Sequence, residues 1–320
     1  MIEVKNLCKK YGDVVAIDHL NFTIEDGEVF GFVGPNGAGK TTTMKIMAGL
    51  VPPDEGSIII SGTNAFENSQ KLKSLIGYMP DFFGVYDNLK VIEYMEFYAS
   101  IYGITGSESD KLCRQLMELV DLTDKAEFLV DELSRGMKQR LCLARCLVHD
   151  PKLLILDEPA SGLDPRARHG IHKIIKRLKE EKKTIIISSH ILQELSELCN
   201  SVGIIDKGKM IVKGKVDEIM LSLNSSSPIQ IHVIAGKQKA VDILKDDKKV
   251  RNISIADNDI SIDFLGTPED EAELLKKLII NNVEIVSFVR QSGNLEEIFM
   301  NVTKKREVLL DEDKNKSGLW

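Results

Sequence analysis

The stretch GPNGAGKTT, Gly34 to Thr42, holds the first residues whose types and spacing imply chemistry. Gly34 to Thr41 fits G-x-x-x-x-G-K-[ST], directly after the apolar run EVFGFV and directly before a helical pattern, which is the context this motif requires. A triphosphate needs donors without steric bulk. Gly34, Pro35, Asn36, Gly37, Ala38 and Gly39 form a loop whose backbone N–H groups can turn inward around phosphate oxygens. Lys40 then reaches the β- and γ-phosphates, the Thr41 hydroxyl ligates Mg²⁺, and Thr42 continues the helix start, where the partial positive charge lies.

Two further segments end in polar groups that suit the same substrate. LLILDEP places Asp157 and Glu158 at the end of a buried strand, where open α/β sheets bind ligands. Two acids suit two roles: Asp157 holds Mg²⁺, directly or through water, and Glu158 accepts a proton from the attacking water. IIISSH ends another buried strand at His190, whose ring can donate to the γ-phosphate or orient that water.

A fourth segment, LSRGMKQR (Leu133 to Arg140), has no role on these grounds alone. Taken in order, Gly34 to Thr41, LSRGMKQR, LLILDEP, SGLD (Ser161 to Asp164) and His190 resemble the ATP-binding subunits of ABC transporters over about residues 1–220. That resemblance implies two cassettes packed head to tail, a homodimer or a heterodimer, with two ATP molecules between them. Ser134 and the N–H of Gly136, at a helix start, then supply an anion site to the partner's phosphate. Tyr11 matches the aromatic that stacks on adenine, and Asp164, presented by the Ser161-Gly162 turn, matches the acid that crosses the dimer interface.

The chain departs from the family pattern twice. Arg135 stands where Gly is usual, and its side chain is expected to point outward or towards phosphate, leaving the Ser134 and Gly136 contacts intact. Asp81 stands where Gln is usual. An ionised carboxylate only accepts hydrogen bonds and repels a γ-phosphate, so Asp81 is expected to act as a direct or water-mediated Mg²⁺ ligand. The aromatic stretch after it offers Phe82, Phe83 and Tyr86 for a groove that, in the resembled family, receives a short helix of the membrane subunit.

The elements that must position these residues follow from periodicity. KLLILDEP and KTIIISSH are near-continuous apolar runs alternating with helical segments, so the core is a mainly parallel α/β sheet of the P-loop kind. Short strands over residues 1–33 predict an antiparallel β subdomain, and residues about 85–150 a helical subdomain. The cassette spans 1–220 and residues 221–228 form a linker. Residues 229–303 read strand, helix, strand, strand, helix, strand, then a terminal helix, a small α+β ferredoxin-like domain, and 304–320 is a charged tail. The domain resembles accessory domains of some members of that family, which implies a part in stabilising or regulating the dimer.

With 320 residues, 43% hydrophobic and 28% charged, the composition is that of a globular protein of about two domains. A net charge of −7 gives no basic field, so no nucleic-acid partner is expected. No apolar run reaches the length of a membrane helix, so the chain is expected in the cytoplasm. The resemblance implies that it is peripheral on the inner face of the cell membrane, through a separate transmembrane permease. The five cysteines contain no C-x-x-C pair and read as small core residues. The expected function is a Mg²⁺-dependent ATP hydrolase that powers a permease, with export favoured by the resemblance. The alternative is a soluble cassette or ATP-switch module acting on a cytosolic complex.

Overall fold

The computed structural model describes residues 1–82, 84, 86, 88–219 and 228–290. The chain divides into two compact units, Met1–Val216 and the part from Asp217 onward. The expected linker before Pro228, the terminal helix, the charged tail and Phe83 lie outside the described residues.

The first unit is built on two sheets. Strands β1 (Ile2–Tyr11), β2 (Val14–Ile24), β4 (Glu55–Ile60) and β5 (Thr63–Asn64) form an antiparallel sheet in the order β2-β1-β4-β5. The second sheet runs β10-β9-β3-β8-β7-β6, from β3 (Val29–Val33), β6 (Ile76–Met79), β7 (Leu153–Asp157), β8 (Thr184–Ser189), β9 (Ser201–Asp206) and β10 (Lys209–Lys215). All its pairings are parallel except the β9–β10 edge. Every residue of β3, β7 and β8 is buried, as strands covered on both faces must be.

Register is what makes the site. Because β8 lies between β3 and β7, Val33 pairs with Ser189 and Asp157 with Ser188. The strand ends that precede the phosphate loop, Glu158 and His190 therefore open on the same edge of the sheet.

Helix α1 (Lys40–Met47) follows the loop and sends Met44, Ile46 and Met47 into a core shared by both sheets, together with Phe22, Phe30, Phe32 and Ile155. The Phe22 and Phe30 rings stack at 5.6 Å. Burial of this apolar surface, at roughly 25 cal/mol per Å², anchors the helix whose N-terminus faces the site. The helical block consists of α3 (Val91–Ile101), α4 (Gly106–Leu119) and α5 (Arg135–Leu147). Next come α6 (Pro165–Glu180), with Ile171, Ile174, Ile175 and Leu178 buried at helical spacing, and α7 (Leu192–Leu198).

Among the elements with no counterpart in the sequence reading are α2 (Ser69–Leu75) and β6. The apolar signal of β6 is short and broken by Gly77. A Cβ there would lie 2.4 Å from the Cys146 carbonyl, so this glycine permits a close approach and is not a turn. All five cysteines are free and buried. Among the described residues no helix is long and apolar enough to cross a membrane.

The second unit is a four-stranded antiparallel sheet, order β12-β13-β11-β14, from β11 (Ile229–Ala235), β12 (Val250–Ala256), β13 (Asp259–Phe264) and β14 (Glu284–Arg290). With α8 (Lys237–Lys245) and α9 (Pro268–Ile280) it has the βαββαβ order and strand arrangement of a ferredoxin-like fold. Its core joins Ile229, Ile231, Ile260 and Ile262 of the sheet to Leu244 and Leu274 of the helices.

Candidate active site

The phosphate loop has its shape because three glycines cannot be replaced in place. A Cβ on Gly34 would sit 2.3 Å from the Ile205 carbonyl, and one on Gly39 2.5 Å from that of Ala16. Gly39 (φ 109°) and Gly37 (φ 82°) both occupy the left-handed region. No side chain caps α1, which leaves its first-turn N–H groups facing the loop. Lys40 is buried, and its Nζ donates to the carbonyls of Gly34 (2.7 Å) and Pro35 (3.2 Å). Burial pushes the Lys40 ammonium below its usual range, and the Glu158 and Asp157 carboxylates offset part of that shift.

A cavity of about 580 Å³ opens over this loop. Residues 36–42, Asp81, Glu158, Ser161 and His190 line it, with Val14 and Ala16 of β2. That volume is within the range of small-molecule sites. It gathers Asn36, Gly37, Ala38, Gly39, Lys40, Thr41, Thr42, Asp81, Glu158 and His190, residues that the sequence reading drew from four separate segments.

Asp157 is fully buried. Its Oδ1 accepts from the Ser188 hydroxyl at 2.6 Å, and the same hydroxyl oxygen accepts the Glu158 N–H at 2.9 Å. The Asp157 Oδ2 has no hydrogen-bond partner among the described residues. A buried carboxylate oxygen left unpaired is costly unless a cation or a ligand group satisfies it, so the donor set fits Mg²⁺. Glu158 has φ 50°, a left-handed conformation that a non-glycine residue adopts only when its surroundings impose it. Its Oε2 lies 2.8 Å from His190 Nδ1. His190 also lines the cavity over the phosphate loop, where the γ-phosphate and the attacking water are expected.

Ser188 was not singled out in the sequence, yet it joins both acids. The signal was the pair of hydroxyls ending the apolar run IIISS, since a buried hydroxyl must find a partner. Replacing Ser188 by alanine should lower kcat about 10- to 100-fold with little change in KM for ATP, the usual cost of removing such a supporting contact. Steady-state ATPase kinetics would show it, and an unchanged kcat would remove Ser188 from the site.

The remaining residues lie elsewhere on the unit. Ser134 caps α5, its Oγ accepting from the Met137 N–H at 3.4 Å. A Cβ on Gly136 would meet the Ala167 methyl at 2.8 Å, so this glycine also permits α5 to approach α6. Asp164 caps α6, accepting from the N–H groups of Arg166 (2.9 Å) and Ala167 (3.0 Å). Arg135 is exposed, as expected of an outward side chain, yet it is held. Its guanidinium packs on Gly162 and donates to the Ser161 carbonyl at 3.2 Å, an acceptor shared with Gln139 at 3.3 Å.

Ser134, Gly136, Asp164 and Tyr11 are not among the residues lining the cavity. Tyr11 ends β1, half exposed, with Lys9 Nζ 5.6 Å from its ring centre. Phe82 is 90% exposed, and Tyr86 packs edge-on against Phe97 at 5.4 Å.

Known proteins resemble this chain in sequence and in fold. The family model of ABC transporters matches residues 17–161, and that of the C-terminal domain of DrrA1-3-like ATP-binding proteins matches residues 214–303. The chain is 33% identical over 305 residues to the linearmycin resistance ATP-binding protein LnrL of Bacillus subtilis, covering 95% of this chain and 98% of that protein. It is 34% identical over 301 residues to the bacitracin transport ATP-binding protein BcrA of Bacillus licheniformis, covering 94% and 96%.

Among solved structures, the ATP-binding subunit of an ABC transporter superposes with a TM-score of 0.63 at 30% identity, over 69% of this chain and 92% of that one. A dimeric post-hydrolysis state of the cassette MJ0796 bound to ADP and Pi gives 0.62 at 25%, over 68% and 99%. Similarity that continues past the cassette to nearly the full length of two relatives makes this chain a member of the ABC transporter family, an ATP-binding subunit that hydrolyses ATP.

Proposed function

We propose that the chain binds each ATP between its own phosphate loop and the α5 start of a second cassette, closes as a head-to-tail dimer, and drives export through a permease at the inner face of the membrane. The observation that supports this most directly is the composition of the cavity. The phosphate loop, Glu158 and His190 line it, whereas Ser134 and Gly136 do not. A capped helix start without a phosphate loop of its own is suited to a phosphate brought by a partner. The export direction draws on the resistance and transport proteins LnrL and BcrA.

Within this reading Lys40 exchanges its two loop carbonyls for β- and γ-phosphate oxygens. Glu158 takes the proton of the attacking water, and His190 fixes the carboxylate at 2.8 Å in the orientation that receives it. Tyr11 offers a face to adenine, and Asp164 reaches across the interface. Thr41, the unpaired oxygen of Asp157 and Asp81 are the groups that would hold Mg²⁺, which when bound neutralises charge on the β- and γ-phosphates.

Two experiments test the separate parts. Ser134→Arg should leave ATP binding by the monomer within about twofold and abolish dimerisation and turnover, because bulk and charge then occupy the partner's phosphate position. Loss of monomer binding would contradict a site completed by a partner. Asp81→Asn should raise the Mg²⁺ concentration for half-maximal hydrolysis several-fold, about 1 kcal/mol for one weakened ligand. An unchanged Mg²⁺ dependence would remove Asp81 from the metal set.

A further inference from the structure

We propose that the antiparallel sheet carries a second metal site, a Zn²⁺-type site formed by Cys8, His19 and Glu55, separate from the nucleotide cavity. The Sγ of Cys8, a ring nitrogen of His19 and a carboxylate oxygen of Glu55 all lie within 4.8 Å of one another. Around a tetrahedral Zn²⁺, with Zn–S of about 2.3 Å and Zn–N and Zn–O of about 2.0–2.2 Å, such atoms stand roughly 3.4–3.6 Å apart. His19 and Glu55 are exposed, so small rotations of their side chains are enough to close the difference.

The backbone brings the three together by irregular pairing. Cys8 and Glu55 are direct partners across β1 and β4, just past a register shift in that ladder. The β1–β2 ladder shifts on both sides of Leu7, and there His19 takes φ 49°, in the left-handed region. Its N–H points at the Cys8 sulfur, 3.4 Å away. Bulges of this kind re-aim side chains and are common beside functional groups. The Asp18 carboxylate lies 2.7 Å from His19 Nδ1, and Lys209 holds Asp18 in turn at 2.9 Å. A carboxylate on Nδ1 fixes the tautomer that leaves the Nε2 lone pair outward, an arrangement that orients metal-binding histidines.

The ligand types select the cation. One thiolate, one imidazole and one carboxylate form a mixed set suited to Zn²⁺ and similar divalent transition ions, whereas Mg²⁺ and Ca²⁺ prefer oxygen alone. Three protein ligands leave a fourth position for water. The ion would tie β1, β2 and β4 together, and β2 also supplies Val14 and Ala16 to the wall of the nucleotide cavity.

The test uses Co²⁺ as a spectroscopic probe on the nucleotide-free full chain, because a thiolate–cobalt charge-transfer band distinguishes this site from the all-oxygen site at Thr41 and Asp157. One Co²⁺ per chain should give that band, and Zn²⁺ should displace it. Cys8→Ser should abolish it, with the other four cysteines buried elsewhere and unchanged. His19→Asn, which tolerates the left-handed conformation, and Glu55→Gln should each weaken Co²⁺ binding at least about tenfold in a protein of unchanged circular dichroism. These two surface variants decide the matter if Cys8→Ser fails to fold. Absence of the band in the parent protein, its persistence in Cys8→Ser, or an affinity unaffected by His19→Asn would overturn the site.

Discussion

Glu158→Gln should bind ATP with nearly the parent affinity and hydrolyse it about 10²- to 10⁴-fold more slowly, the range that a positioned general base contributes. The amide keeps the shape of the carboxylate but cannot take the proton of water. The parts that hold position 158 remain: its N–H still donates to Ser188, and Ser188 still donates to Asp157. The loss should therefore appear in kcat and not in KM. Glu158 is also one of two carboxylates that offset part of the effect of burial on the Lys40 ammonium, and Asp157 continues to do so in the variant. Single-turnover hydrolysis beside equilibrium ATP binding separates these effects. Turnover within about threefold of the parent would place the base elsewhere.

Lys40→Ala should reduce ATP affinity at least about 100-fold, or about 2.7 kcal/mol, and abolish measurable turnover, because it removes a buried ammonium from the cavity wall. The substitution also leaves the Gly34 and Pro35 carbonyls without the donor that closes the loop. Lys40→Arg is not expected to restore binding. The planar guanidinium is larger and cannot occupy a position where a single ammonium bonds two carbonyls at 2.7 and 3.2 Å. Titration with a fluorescent ATP analogue, at matched circular dichroism, measures the loss. Affinity close to that of the parent would contradict the role given to the phosphate loop.

The parts of this site that were legible in the sequence are those set by local chemistry. Gly34, Gly39, Lys40 and Thr41 declare themselves because a phosphate cradle tolerates few residue types at fixed spacing. The three strands were legible as apolar runs because both their faces are buried. In the accessory domain, alternating strands such as β11 and the Thr267–Asp270 capping box before α9 mark the elements equally well.

The parts that were hidden depend on tertiary approach. Nothing local places β8 between β3 and β7, yet that order lets Ser188 reach Asp157 and Glu158. Nor does spacing show that Arg135 reaches Ser161 and Gly162, 26 and 27 residues on. Residue type alone suggests an arginine that points outward or towards phosphate. The absence of a Cβ at Gly162, which makes room for the guanidinium, is visible only when the two loops are seen together. Strand β6 escaped notice for the related reason that Gly77 was needed for contact with Cys146 and broke the apolar pattern.

An ATP site completed by a second cassette is tested most directly by the solution mass of the Glu158→Gln protein with and without ATP and Mg²⁺. A shift from monomer to dimer that requires ATP, and that Ser134→Arg in the same chain prevents, is the predicted result. A Glu158→Gln protein that stays monomeric with ATP bound would contradict it.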